Sequence, residues 1–113
     1  MLVDVKKVKI FVTVPLKNVD DVRNAMCEAG AGVIGNYSFC TSSTKCIGTF
    51  IPNGNANPHI GTKNELEFVK EEKLEAICDI KDVKNVLENI RKAHPYEEPA
   101  IDIVPLLDEK VLN

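Results

Sequence analysis

The chain has 113 residues and a formal net charge of −3. That is one domain by length, large enough to bury a core without disulfide or metal staples. Hydrophobic residues make up 44% and charged residues 27%, a soluble globular balance that excludes a disordered chain. The acidic balance excludes a general nucleic-acid binder, which needs a basic surface. No apolar run approaches the ~20 residues of a membrane helix.

The segment from Met1 to Lys7 has no apolar signal core, so the expected location is cytoplasmic. There the four cysteines at 27, 40, 46 and 78, none in a C-x-x-C pair, are expected as reduced thiols.

Val8, Ile10, Val12 and Val14 alternate with Lys9, Phe11 and Thr13, which predicts a strand ended by Pro15. Asn18 is placed to cap a helix with Asp20 and Asp21 in its first turn. Val19, Val22, Met26 and Ala29 form its apolar face, and Gly30 and Gly32 stop it. Strands are then expected over Val33–Phe39 and Cys46–Ile51, followed by a turn-rich loop from Pro52 to Pro58. Asn64–Lys73 carries helix-forming Glu and Lys, yet a strand there would join two similar halves of the chain, and it is read as a strand. A second unit repeats the first. Leu74, Ala76, Cys78 and Ile80 alternate, and a helix follows from about Asp82 with Val83, Val86, Leu87 and Ile90 on one face. Pro95 ends that helix, and Ile101–Val104 reads as a last strand.

This order predicts an α+β, ferredoxin-like duplicated β-α-β fold, a single domain with its core over about 8–106: one antiparallel sheet with both helices on one face. The other face would be open. Phe11, Ile77, Tyr37 or Phe39, and Ile101 or Ile103 are expected on it. An exposed apolar sheet face implies self-association.

Three motifs carry a resemblance. Gly30-Ala31-Gly32-Val33-Ile34-Gly35-Asn36-Tyr37-Ser38, Asn57-Pro58-His59-Ile60-Gly61 and His94-Pro95-Tyr96-Glu97-Glu98-Pro99-Ala100 together resemble the insert domain of the YqfO branch of Nif-three-like proteins, the GTP cyclohydrolase I type 2 homologues. The last block also resembles one in CutA proteins, trimeric relatives of the PII signalling fold. The resemblance covers about Val8 to Leu106. It implies a CutA/PII-like module that forms a homo-oligomer, a trimer by preference, and that binds a divalent metal or small ligand between subunits. It also implies a Nif-three-like protein as a possible partner. The flanking parts that supply the larger family's dinuclear metal site have no counterpart here, so its hydrolase-like chemistry is not carried over. Asn36, Tyr37, Asn57 and Tyr96 are the candidate ligand contacts within these motifs.

His94, at a helix end, suits either the helix dipole or a metal. With His59, Glu97 and Glu98 it would make an imidazole–carboxylate set suited to zinc or copper. Cys40 and Cys46 would face each other if a hairpin turned between them. Gly30, Gly32 and Gly35 spell G-x-G-x-x-G but follow a helix and open a strand, the reverse of a dinucleotide site, so they read as a helix stop. No nucleophile elbow, Walker motif or H-E-x-x-H occurs. The expectation is therefore a binding module rather than an enzyme; a small enzyme using His94, Glu97 or Glu98 is the remaining alternative.

Overall fold

A computed structural model describes residues 4–112. Met1–Val3, part of the segment read for an export signal, lie outside the described residues, as does Asn113. Strand β1 (Lys7–Pro15) leads through a 3-10 turn (Leu16–Asn18) to helix α1 (Val19–Glu28). Strands β2 (Thr41–Phe50) and β3 (Glu67–Asp79) follow, then a 3-10 turn (Ile80–Asp82), helix α2 (Val83–Ala93), strand β4 (Ile101–Leu106) and a last 3-10 turn (Glu109–Val111). The sheet order is β2-β3-β1-β4 and every neighbouring pair is antiparallel. This is the ferredoxin-like order the duplicated pattern predicts.

The register explains the core. Val8, Ile10 and Val12 lie opposite Cys78, Ala76 and Leu74, so their side chains share one face. Val22 and Met26 of α1 and Val86 and Ile90 of α2 join them in a single buried cluster. Helix α2 ends at Ala93 because His94 precedes a proline and is held extended, at φ −78° and ψ 135°. Helix α1 ends in a Schellman motif: Ala31 N–H donates to Met26 O at 3.0 Å and Gly30 N–H to Cys27 O at 3.1 Å. Gly30 takes φ +122°, as the helix-stop reading of the glycines anticipates.

Several expectations need correction. Val33–Phe39 is not a strand. Gly35 at φ +58° lets Ile34 and Tyr37 exchange both backbone hydrogen bonds at 2.9 Å, which turns the chain within two residues. The Asn18 side chain caps nothing, because a 3-10 turn precedes α1; its Oδ1 is buried without a partner. Ile80 is not part of the alternation but opens the second 3-10 turn, 51% exposed. Cys40 and Cys46 do not flank a hairpin. Cys40 immediately precedes β2 and Cys46 lies within it, so an extended backbone holds them on the order of 20 Å apart. Ile101 and Ile103 lie opposite Val12 and Ile10, on the helix side of the sheet rather than the open side.

The open side is also more polar than the sequence suggests. Phe11 and Ile77 share it. Lys9 pairs with Glu75 at 3.3 Å, and Lys73 Nζ lies 5.5 Å from the centre of the Phe11 ring. Four exposed apolar side chains, Ile47, Ile51, Leu66 and Phe68, lie on or beside a projection. β1 stops with Pro15 opposite Glu71, so residues 47–50 and 67–70 pair only with each other. This ribbon makes the molecule long, 51 × 30 × 23 Å with a radius of gyration of 15.7 Å, where a compact chain of this length has ~13 Å. Ile47 and Phe68, diagonal neighbours on the ribbon's helix side, are 68% and 62% exposed.

The two ends of α2 separate sharply in their demands. Ile90→Ala empties a fully buried position and is expected to lower stability by about 2–5 kcal/mol. Ile80→Ser, on the exposed turn before α2, should stay within about 0.5 kcal/mol of wild type. Denaturant midpoints measure both.

Candidate ligand cleft

The projecting ribbon carries a sixteen-residue connection, 51–66. A loop of this length without regular structure is uncommon in a compact domain unless it serves a function. It is pinned at several points. Asn64 N–H donates to Pro52 O, and Asn55 N–H donates to Asn53 Oδ1 at 2.9 Å. Asn57 N–H reaches across to Glu97 Oε1 at 3.1 Å. The last contact ties the loop to the 94–100 segment that follows α2. Between loop, segment and sheet lies a cleft of about 600 Å³, within the size range of small-molecule sites.

The 94–100 segment is anchored through His94. Tyr96 N–H donates to His94 Nδ1 at 3.1 Å, so Nε2 carries the proton and donates to Thr13 O at 2.7 Å. The neutral ring is buried, and burial holds its pKa below the ordinary value. It stacks obliquely on Tyr96, with ring centres 4.8 Å apart.

Tyr96 then reaches the floor of the cleft. Its hydroxyl donates to Glu71 Oε2 at 2.7 Å. Burial first, and the hydrogen bond to the carboxylate next, hold the phenol well above its usual range. Glu71 is only 5% exposed, although it lies on the open face of β3. Two features make room for it. The segment carrying Tyr96 covers it, and its cross-strand neighbourhood includes Gly48, where a Cβ would collide with Glu71 Oε1. Phe50 and Tyr96 close the wall, ring centres 6.1 Å apart.

Of the residues picked out in the sequence, the cleft brings together His59, Tyr96, Glu97 and Glu98, with Asn57 at its edge. Asn36 and Tyr37 lie elsewhere, on the tight turn by the opposite end of the sheet, where Gly32 N–H meets Ile77 O. Within one chain the four residues expected to bind zinc or copper do not converge as a ligand set. Both nitrogens of His94 are engaged within the protein, and Glu97 accepts from Asn57. Among the described residues no three His, Cys, Asp or Glu side chains converge on one point. Three of the thiols are held protonated: burial raises Cys27 and Cys46 and takes Cys78 to about 11.

The sequence pattern singles out none of Glu71, Gly48 and Phe50, and Glu71 stands in a charged run with Glu72 and Lys73. A strand assignment for 64–73 contains the missing signal, because it puts Glu71 in phase with Val69, which is buried.

Comparison with known proteins places this segment in context. No family model matches the chain. It is 48% identical over 101 residues to the GTP cyclohydrolase 1 type 2 homolog of Halalkalibacterium halodurans, covering 89% of this chain and 27% of that protein. The Bacillus subtilis protein of the same name is 45% identical over 98 residues, 87% of this chain and 26% of the relative. The chain thus spans about a quarter of the length of the curated relatives it matches. The crystal structure of a Bacillus cereus protein related to NIF3 superposes with a TM-score of 0.80 at 38% identity, over 92% of this chain and 26% of that one. The Archaeoglobus fulgidus CutA, a periplasmic divalent cation tolerance protein, superposes with a TM-score of 0.66 at 15% identity, over 90% and 85% of the two chains. Bacillus subtilis GlnK does so at 0.60 and 12%, over 89% and 85%. The resemblance to Nif-three-like proteins seen in the motifs therefore extends over most of the chain, and the fold is shared with CutA and GlnK.

Two outcomes test this geometry. Gly48→Ala forces the Glu71 carboxylate off its seat, and losing the charge-assisted hydrogen bond to Tyr96 should cost about 1.5–3 kcal/mol. Tyr96→Phe should cost a similar amount. If both act through that bond, the double variant loses clearly less than the sum in thermal denaturation. The second outcome concerns pH. Above the ordinary histidine value His94 is neutral in both folded and unfolded chains. Below it the unfolded chain takes a proton that the native ring refuses, so stability falls as pH drops from about 6.5 toward the lowered native value. His94→Gln, destabilised at neutral pH, should lack this part of the decline. A wild-type profile that is flat across the interval would contradict a neutral, buried imidazole.

Proposed function

We propose that this chain is a non-enzymatic, self-associating module of the CutA/PII type that binds a small ligand in the cleft between the 51–66 loop and the 94–100 segment. The observation that carries the reading is the cleft itself. A pinned loop, an anchored segment and a buried Glu71–Tyr96 pair form a preorganised concave surface with apolar walls. Such convergence of a few polar groups in an apolar pocket is what a small-molecule site requires. Catalysis is disfavoured by the same geometry, since the imidazole that would move protons has both nitrogens engaged in bonds that hold the fold.

Self-association is supported by the projecting ribbon. Ile47 and Phe68 lie on the side where α1 and α2 cover the rest of the sheet, but the helices do not reach them. A second copy of the chain would cover them, and three copies around one axis is the arrangement the CutA/PII likeness favours. A cytoplasmic setting and a trimer both belong to this proposal.

The comparisons favour one alternative. A segment this similar to a quarter of longer Nif-three-like proteins could work by docking on such a protein. The two readings part in one set of measurements. Light scattering at micromolar concentration should give a homo-oligomer for wild type. Phe68→Lys should give a folded monomer by the same measurement and by circular dichroism. Binding of fragment-sized molecules, followed by amide shifts in a ¹⁵N-labelled sample, should concentrate at Gly48, Phe50 and Tyr96. A monomeric wild type with no responsive amides in the cleft would overturn the proposal and leave the docking reading.

A further inference from the structure

The floor of the cleft holds a carboxylate that has no counter-ion. Glu71 is 95% removed from solvent, by the 5% exposure that remains. Its Oε2 accepts from the Tyr96 hydroxyl. Its Oε1 lies over Gly48 and accepts no hydrogen bond among the described residues. Among the described residues no Lys or Arg lines the cleft. The nearby lysines are occupied: Lys73 lies over Phe11, Lys9 pairs with Glu75, and Lys63 donates to Gly54 O. Glu97 and Glu98 add further acidic groups to the lining, with His59 as the one base.

A carboxylate taken out of water without a compensating charge is costly, and a cation brought to it gains in the low local dielectric what water would have screened. An anion meets the opposite field. The walls set the second requirement. Phe50, Ile51, Pro52 and Ile60 give the cleft an apolar lining, and the Phe50 and Tyr96 rings, centres 6.1 Å apart, add aromatic surface of a kind that suits a cation with a hydrocarbon body. A bare divalent ion would need several converging donors, and no three converge here. An ammonium or guanidinium needs one carboxylate and an apolar surface.

We infer that the cleft takes a small organic cation, its charged head on Glu71 Oε1 and its apolar body along the Phe50–Tyr96 wall. This rests on reading the cleft as a ligand site, and it names the class of ligand.

Three isosteres test it: phenethylammonium, 2-phenylethanol and phenylacetate, titrated near neutral pH into the intact ¹⁵N-labelled chain. The expected result is saturable shifts at Gly48, Phe50 and Tyr96 with phenethylammonium, at least about tenfold tighter than the alcohol, with phenylacetate weakest. Glu71→Gln keeps the shape and an acceptor for Tyr96. It should bring the ammonium down to the affinity of the alcohol and leave the alcohol unchanged. The wild-type comparison of the three probes stands without the variant, should the variant fail to fold. Equal binding of ammonium and alcohol, or tighter binding of phenylacetate, overturns the cation assignment while the cleft remains a ligand site. No binding of any of the three to low-millimolar concentration overturns both.

Discussion

A carboxylate on a sheet surface normally keeps its water. Glu71 does not, and much of the molecule's second half is arranged around that fact. The side chain has room because β2 offers a glycine, Gly48, beside it. It has a donor because Tyr96 is carried over it by a segment that leaves α2 at a proline. That segment is fixed in turn by an imidazole that binds the backbone at both nitrogens, Thr13 O on one side and Tyr96 N–H on the other. Each step depends on the one before. The proline stops the helix, the extended His94 reaches β1, Tyr96 follows the ring, and the phenol meets the acid. Buried polar networks of this kind fix a local structure because a half-satisfied version is so unfavourable.

The same network explains what was legible in the sequence and what was not. The helices and β1 follow from local patterns. Val8 to Val14 alternate, and Val83 to Ile90 recur at helical spacing, so propensity and burial agree and the reading needs no partner. The 64–73 stretch was ambiguous because Glu and Lys favour a helix on their own, yet cross-strand pairing with β2 overrides propensity. The apolar residues of Val33–Phe39 suit a strand, but three glycines within six residues, Gly30, Gly32 and Gly35, all at positive φ, turn the chain before a ladder can start. Glu71 could not be read as buried from a run of charged neighbours. Its burial is decided by Gly48 and Tyr96, more than twenty residues away on either side. His94 was open to two readings, a structural group at the helix end or a metal ligand. Its spacing from Thr13 could not be read from the pattern, and it is the Thr13 carbonyl of β1 and the Tyr96 N–H that take its two nitrogens.

The apolar surface was foreseen in kind but not in place. A two-layer fold leaves one sheet face without helices, and the alternation in β1 put Phe11 on it. What the sequence pattern does not show is how lysines and carboxylates across neighbouring strands cover that face, Lys9 with Glu75 and Lys73 over Phe11. Ile47 and Phe68 fall where β2 and β3 outrun β1. Length mismatch between strands, rather than the missing second layer of helices, is what leaves Ile47 and Phe68 in solvent. Edge strands that stay exposed are usually short or charged. A ten-residue edge strand that ends in Ile47-Gly48-Thr49-Phe50 is neither, which is a reason to expect a covering surface.

The ribbon and the cleft are therefore not separate features. Gly48 and Phe50, which shape the cleft, lie on the strand whose neighbouring residue Ile47 points to the other side of the ribbon. Alternation along β2 puts the cleft wall and the exposed apolar side chain on opposite faces of the same few residues. A partner copy held against Ile47 and Phe68 would stiffen the ribbon, and with it the Gly48 backbone on which Glu71 rests. A loosened ribbon would let the carboxylate regain water. The proposed ligand cleft and the proposed assembly surface share one quantity, the order of the ribbon: a ligand that favours the ordered ribbon would also favour an assembled state.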